Sequence, residues 1–301
     1  MDAPSLGPAQ TTHRLPFAPL VAALRDAVLA LARGEIDCPP RQVVPMAGGG
    51  QLLSMVCTAP DLALHKLVSV VPANRSRGLP TIQGRVQVLD APSGSFMLGL
   101  DGATVTGRRT AALSMLGIEA LAAAPPRAVL LVGTGTQARQ HALALGALYP
   151  AARVGVQGHR PGAAAAFCEA LARDGVAAEP ADSADGPADA PVDVVICCTT
   201  SRTPVYTRPA DPARLVIAVG SFSPQAAEVA AGTVRASRCY VDDPAGATHE
   251  AGDLLLAGLG PADMHPLAQA LRAGRPRGPV LLKTVGCAAW DLAAARVALS
   301  G

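Results

Sequence analysis

The hydrophobic rhythm of the chain changes part-way along it. Leu20, Val21, Leu24, Val28 and Leu31 recur at the helical period with Arg25 and Asp26 on the wet side, which predicts an amphipathic helix over 13–33. A turn, AGGG, follows, and then three strand-like runs: LALHKLVSVV, TIQGRVQVLD and SFMLGLD. The last two are joined by APSG, whose residues suit a short hairpin turn. A long helix is expected after Asp101-Gly102, through TVTGRRTAALSMLGIEALA, until Pro125-Pro126 stops it and marks a domain boundary. From there the pattern alternates: a strand at 128–132, a helix from Gln137, a strand at 153–157, a helix over GAAAAFCEALARD, then VDVVICC and LVIAVG as buried strands. Short apolar strands separated by helices imply a parallel sheet covered on both faces, an α/β architecture. EPADSADGPADAPVD reads as a solvated connection, and GCAAWDLAAARVALS as a closing helix that packs back on the first lobe.

At 301 residues the chain has room for two lobes. Half of the residues are hydrophobic and mean hydropathy is +0.31, which excludes disorder and raises the question of a membrane. Arg25, Asp26, Pro125 and Pro126 interrupt every stretch that approaches the roughly 20 apolar residues a spanning helix needs, and nothing marks export. Seven scattered cysteines suggest neither a disulfide framework nor a zinc site, so a reducing, cytoplasmic setting without a bound metal is expected. A net charge of +2 with no basic run gives no footprint for nucleic acid. The basic residues number 25, yet only Lys66 and Lys283 are lysine. An amine at either position invites a reason, although none is evident for Lys283.

Between the strand at 128–132 and the next helix lies Gly133-Thr134-Gly135-Thr136-Gln137-Ala138. The first glycine permits the tight turn, the second lets backbone approach a diphosphate, and the small third residue lets helix and strand pack closely. Free amides at the helix N-terminus complete a dinucleotide site. Readers of an unphosphorylated ribose usually carry an acid about 20 residues further on. Here Ala120 to Cys168 holds no acidic residue, and the second strand ends in Gln157-Gly158-His159-Arg160. An arginine there either grips a 2′-phosphate or is a plain surface cation; the first reading favours NADPH, with NADH possible.

The strand period places Lys66 with Leu64, Val68 and Val70. A lysine among aliphatic neighbours is costly unless its charge is used, so it reads as a substrate-facing amine or as a strand-end lysine reaching for water. Arg108 and Arg109 lie about 100° apart on their helix, and at most one of them points into a given cleft.

The segment from HKLVSVV through GRRTAALSMLGIEALA, together with VGTGTQARQH, HEAGDLLLAG and TVGCAAWDLA, resembles the ornithine cyclodeaminase and mu-crystallin family over nearly the whole chain. The resemblance implies a homodimer whose subunit has a Rossmann NADP-binding domain, here 125–285, and an α+β substrate and dimerisation domain built from both chain ends, 1–124 and 286–301. It implies Lys66 as the substrate lysine, Arg109 and Arg41 as carboxylate-binding arginines, and Thr110 close to the cofactor. Thr199, Val219 and Ser221 match strand-end positions that line the nicotinamide side.

Cyclodeaminases of the family resemble one another in a GGDCPGK-like segment whose aspartate acts in deamination. The matching stretch here is VGSFSPQAAEV, with Phe222 at the aspartate position. A phenylalanine cannot move a proton, which speaks against ornithine cyclodeamination. Phe222, followed by Pro224 and Glu228, resembles the branch that reduces the cyclic ketimines Δ1-pyrroline-2-carboxylate and Δ1-piperideine-2-carboxylate to proline and pipecolate. Phe222 would then be an apolar wall against the substrate ring. Two other readings stay open: a cyclodeaminase or alanine-dehydrogenase-like enzyme on the same scaffold, and a non-catalytic NADPH-dependent binder of small ligands.

Overall fold

A computed structural model describes residues 3–181, 191–221 and 223–301. Contacts within it divide the chain into two compact units, Met1–Arg109 with Cys287–Gly301, and Thr110–Gly286.

The first unit opens with two helices, α1 (Pro8–His13) and α2 (Phe17–Ala32). The expected single helix over 13–33 therefore begins four residues later, because Pro16 takes an extended conformation as the N-cap of α2. Five antiparallel strands follow in simple order: β1 (Gln42–Met46), β2 (Gly50–Thr58), β3 (Leu62–Val70), β4 (Ile82–Asp90) and β5 (Phe96–Asp101). The pattern had predicted only the last three. β1 is exposed along its whole length and carries Pro45, so it lacks the alternation that marks a half-buried strand. Register aligns one face of the sheet: Leu53 opposite Val68, Met55 opposite Lys66, Cys57 opposite Leu64, and on the other side Leu64 opposite Val88 and Lys66 opposite Val86. All of these side chains are buried.

The helix α3 (Gly102–Leu121) runs without a break across the division between the units. The boundary lies inside it and not at Pro125-Pro126, because its C-terminal half joins the second core: Gly117 lies so close to Leu282 that a Cβ could not be added without displacing that side chain. The helix ends at Leu121, four residues short of Pro125, and the prolines do not separate the units.

The second unit is an eight-stranded sheet whose pairings are all parallel. In chain order it contains β6 (Ala128–Val132), α4 (Thr136–Leu148), β7 (Arg153–Gln157), α5 (Ala163–Arg173), β8 (Glu179–Pro180), β9 (Val194–Cys197), β10 (Leu215–Ala218), α6 (Ala231–Arg235) and β11 (Arg238–Val241). These are followed by α7 (Pro244–Glu250), α8 (Gly252–Leu255), β12 (Met264–Pro266), α9 (Leu267–Ala273) and β13 (Val280–Lys283). Across the sheet the order is β8-β7-β6-β9-β10-β13-β11-β12. The chain moves outward from β6 in one direction and then returns to start in the other with β9, which creates a topological switch point between them. Most of the expected acidic connection after β8 lies outside the described residues.

The chain returns to the first unit with α10 (Ala288–Ser300), which packs on α2 and on the buried face of β2 and β3. Its run of buried alanines permits this close approach, and Cys57 donates to the carbonyl of Ala288 at 3.3 Å. None of the described helices is long and apolar enough to cross a membrane. Among the described residues no group of three or more His, Cys, Asp or Glu side chains could hold a metal ion.

Candidate active site

Lys66 stands in the middle of the buried face of β3 with only 2% of its surface exposed. Its Nζ donates to both carboxylate oxygens of Asp291, at 3.0 and 3.2 Å. Asp291 is wholly buried in the first turn of α10, where a carboxylate also benefits from the positive end of the helix dipole. Arg109 completes the group, its Nε 3.3 Å from Asp291 Oδ1 and without a hydrogen-bond partner. Burial pulls the Lys66 ammonium down to about 8, a fall that Asp291 resists and the cations of Arg109 and Arg41 reinforce. Lys66 and Arg109 thus share one buried carboxylate, and the charge of Arg41 reaches Lys66 as well. The surplus positive charge is suited to an anionic ligand.

The adjacent arginines separate as their helical spacing requires. Arg108 donates through Nε to the carbonyl of Leu15 at 2.6 Å and lies over the ring of Phe17 at 4.0 Å, a packing role in the wall of the first unit. Arg109 is the one directed toward Lys66. Asp291 escaped the reading of the sequence, although a lone acid inside an alanine-rich, otherwise apolar helix was a usable signal.

In the second unit the loop after β6 fits a dinucleotide. Gly133 has φ +120°, and a Cβ there would lie 2.6 Å from the carbonyl oxygen of Cys198. Only glycine fits that position. Gly135 is the N-cap of α4, with no side chain capping the helix and open space where a Cβ would stand. The amides of the first helical turn, including those of Thr136 and Gln137, have no intrahelical acceptor and are available to a diphosphate. Thr134 is half-buried and Thr136 exposed. At the end of β7 the Gln157 Oε1 is buried without a hydrogen-bond partner, an acceptor placed where a ribose hydroxyl could donate. Beyond it His159 and Arg160 are exposed.

Thr199, Val219 and Ser221 stand just past the C-terminal ends of β9 and β10. Thr110 is buried on α3. Phe222 lies outside the described residues.

A doubly wound sheet with a glycine loop at its switch point defines a dinucleotide-binding fold, and the other unit carries a buried, cation-rich cluster that suits a small carboxylate. The chain belongs to the ornithine cyclodeaminase/mu-crystallin family, whose model matches residues 9–298. It is 53% identical over 296 residues to Delta(1)-pyrroline-2-carboxylate reductase 2 of Burkholderia ambifaria, covering 98% of this chain and 94% of that protein. It is 52% identical, over the same shares, to the Delta(1)-pyrroline-2-carboxylate/Delta(1)-piperideine-2-carboxylate reductase of Azospirillum brasilense. The solved Delta(1)-pyrroline-2-carboxylate reductase of Thermococcus litoralis, in complex with NADH and L-proline, matches with a TM-score of 0.89 and 24% identity, covering 98% of this chain and 96% of that one. That last likeness is one of fold.

Proposed function

We propose that the chain is a nicotinamide-dependent oxidoreductase that reduces the C=N bond of Δ1-pyrroline-2-carboxylate and Δ1-piperideine-2-carboxylate, giving L-proline and L-pipecolate. The observation that carries this reading is the buried Lys66–Asp291–Arg109 group, which can hold a carboxylate and protonate a neighbouring nitrogen. The names of the relatives above agree with it. Arg109, with Arg41, holds the substrate carboxylate and fixes the ring against rotation. An ammonium has three donors, and Asp291 takes at most two of those on Lys66, which leaves one for the substrate nitrogen or a bridging water. A nicotinamide held by the glycine loop would supply the hydride that the imine carbon needs. The nitrogen then carries the proton that Lys66 held at Nζ, so the C=N bond becomes C–H and N–H with charge in balance.

NADPH is the favoured cofactor. The exposed Arg160 and His159 follow β7 without any acid to repel a 2′-phosphate. Phe222 at the deaminating aspartate's position argues against cyclodeamination. A homodimer formed through the five-stranded sheet is supported by the exposed apolar side chains of Val43, Val44, Met46 and Phe96 on its edge strands.

The test follows the absorbance of reduced nicotinamide with Δ1-pyrroline-2-carboxylate, comparing NADPH with NADH and running ornithine plus NAD in parallel. Rapid oxidation of NADPH with the imine supports the proposal. Proline formed from ornithine alone overturns it, and binding of NADPH without turnover of any cyclic imine leaves a ligand-binding protein instead.

A further inference from the structure

Lys283, the second of the two lysines, is wholly buried at the end of β13 and belongs to a polar ring beneath the strand ends of the parallel sheet. Its Nζ pairs with Asp253 Oδ2 at 2.9 Å and donates to the carbonyl oxygen of Ser221. Asp253 Oδ1 accepts from the backbone amides of Glu228 and Val229, at 2.6 and 2.9 Å. The Glu228 side chain closes the ring. Its Oε1 accepts from the amide and hydroxyl of Thr199, at 2.6 and 2.8 Å, and its Oε2 from the amides of Gly220 and Ser221, at 2.6 and 3.3 Å. A Cβ on Gly220 would lie 1.9 Å from the Thr199 carbonyl oxygen, so the loops after β9 and β10 touch backbone to backbone and share one carboxylate.

Position gives the ring its meaning. Gly133 lies between Gln157, which accepts its amide proton, and the carbonyl of Cys198. With a diphosphate on this loop, one half of a dinucleotide would reach toward the end of β7 and the other toward the ends of β9 and β10. Resting on the dinucleotide reading above, we propose that Glu228, backed by Asp253 and Lys283, is a positioning residue that fixes Thr199, Gly220 and Ser221 as the floor for the nicotinamide half and leaves the adenosine half untouched. Charged groups with no access to water are retained at a cost in stability, and here they hold two loops in a single arrangement.

Four donors on two oxygens leave Glu228 no free place for a proton. Burial pushes its carboxyl up to about 7, opposed by Lys283 and the Thr199 donors and reinforced by Asp253. Cys197 and Cys198 also face it, and both thiols are held neutral by burial. As pH falls through about 7 the carboxyl takes a proton and releases one of its donors.

The experiment measures the affinities of NAD+ and ADP-ribose, which differ by the nicotinamide, and of NADP+ and its 2′-phosphorylated ADP-ribose counterpart, calorimetrically between about pH 6 and pH 8.5. In the wild type the preference for the nicotinamide-bearing member of each pair is expected to weaken as pH falls through about 7. In Glu228→Gln that preference is expected to be reduced about tenfold at all pH values and to lose its pH dependence, with the nicotinamide-free ligands bound as before. Equal losses for both members of a pair, or a wild-type preference flat with pH, overturn the inference while sparing the dinucleotide reading. The wild-type titration stands even if the variant does not fold. No binding of any of the four ligands overturns both.

Discussion

Lys66 and Asp291 meet across the narrow space between β3 and α10, and each makes the other tolerable. Removing the acid leaves two buried cations facing each other, so Asp291→Asn is expected to cost about 3–5 kcal/mol of stability, read by denaturant unfolding. In any folded fraction the Lys66 ammonium should titrate lower. Lys66→Met is expected to lower turnover of the cyclic imine by a factor of about 10²–10⁴ while the dissociation constant for the dinucleotide stays unchanged, measured by calorimetry. The pH profile carries a sign of its own. Burial lowers the Lys66 ammonium to about 8, so under the proposed role the proton at Nζ is present below that value and lost as pH rises through it. The kcat/KM for imine reduction should therefore fall on the alkaline side of about 8, and in Asp291→Asn the same limb should move to lower pH.

At the scale of elements, the turn from β6 into α4 is fixed by Gly133, whose φ of +120° and closeness to Cys198 both exclude a side chain. Gly133→Ala is expected to abolish measurable dinucleotide binding and to lower stability by about 1–3 kcal/mol, checked by calorimetry and thermal unfolding. Arg160→Glu at the end of β7 should weaken NADPH by tenfold or more, about 1.4 kcal/mol, with little change for NADH. The glycine loop was legible because its residues are adjacent in sequence and each answers a local demand of backbone geometry. The Lys66 group was only half legible: an amine among aliphatic side chains is conspicuous, but its partner lies 225 residues away on a helix that reads as plain core. The ring of Glu228, Asp253 and Lys283 is scattered over a loop, a helix and a strand, and no local pattern announces it. β1 was missed for a different reason, since an edge strand exposed on both faces has no alternation to detect.

For the whole molecule, the parallel sheet and its switch point follow from strand–helix alternation, whereas the division between the units does not. It passes through α3, whose outward sequence is that of one ordinary helix. The exposed edge of the five-stranded sheet is where association is tested. If the proposed dimer forms through this edge, Val44→Glu is expected to shift sedimentation from dimer toward monomer, by placing a charge where an apolar side chain would be covered. A wild type that sediments as a monomer would remove that assembly from the account.

The burial of Lys66 and Lys283 also reaches into protein chemistry. One lies in each unit, with 2% and 0% of its surface exposed, so the native fold presents essentially no side-chain amine to solvent. A small acylating reagent reaches Lys66 only by the route a substrate would take, so saturating L-proline should protect it, whereas Lys283 becomes reactive only when its own unit opens. Pulsed acylation followed by peptide mass mapping would then read ligand occupancy at Lys66 and opening of the parallel-sheet unit at Lys283 in a single sample, with no probe introduced.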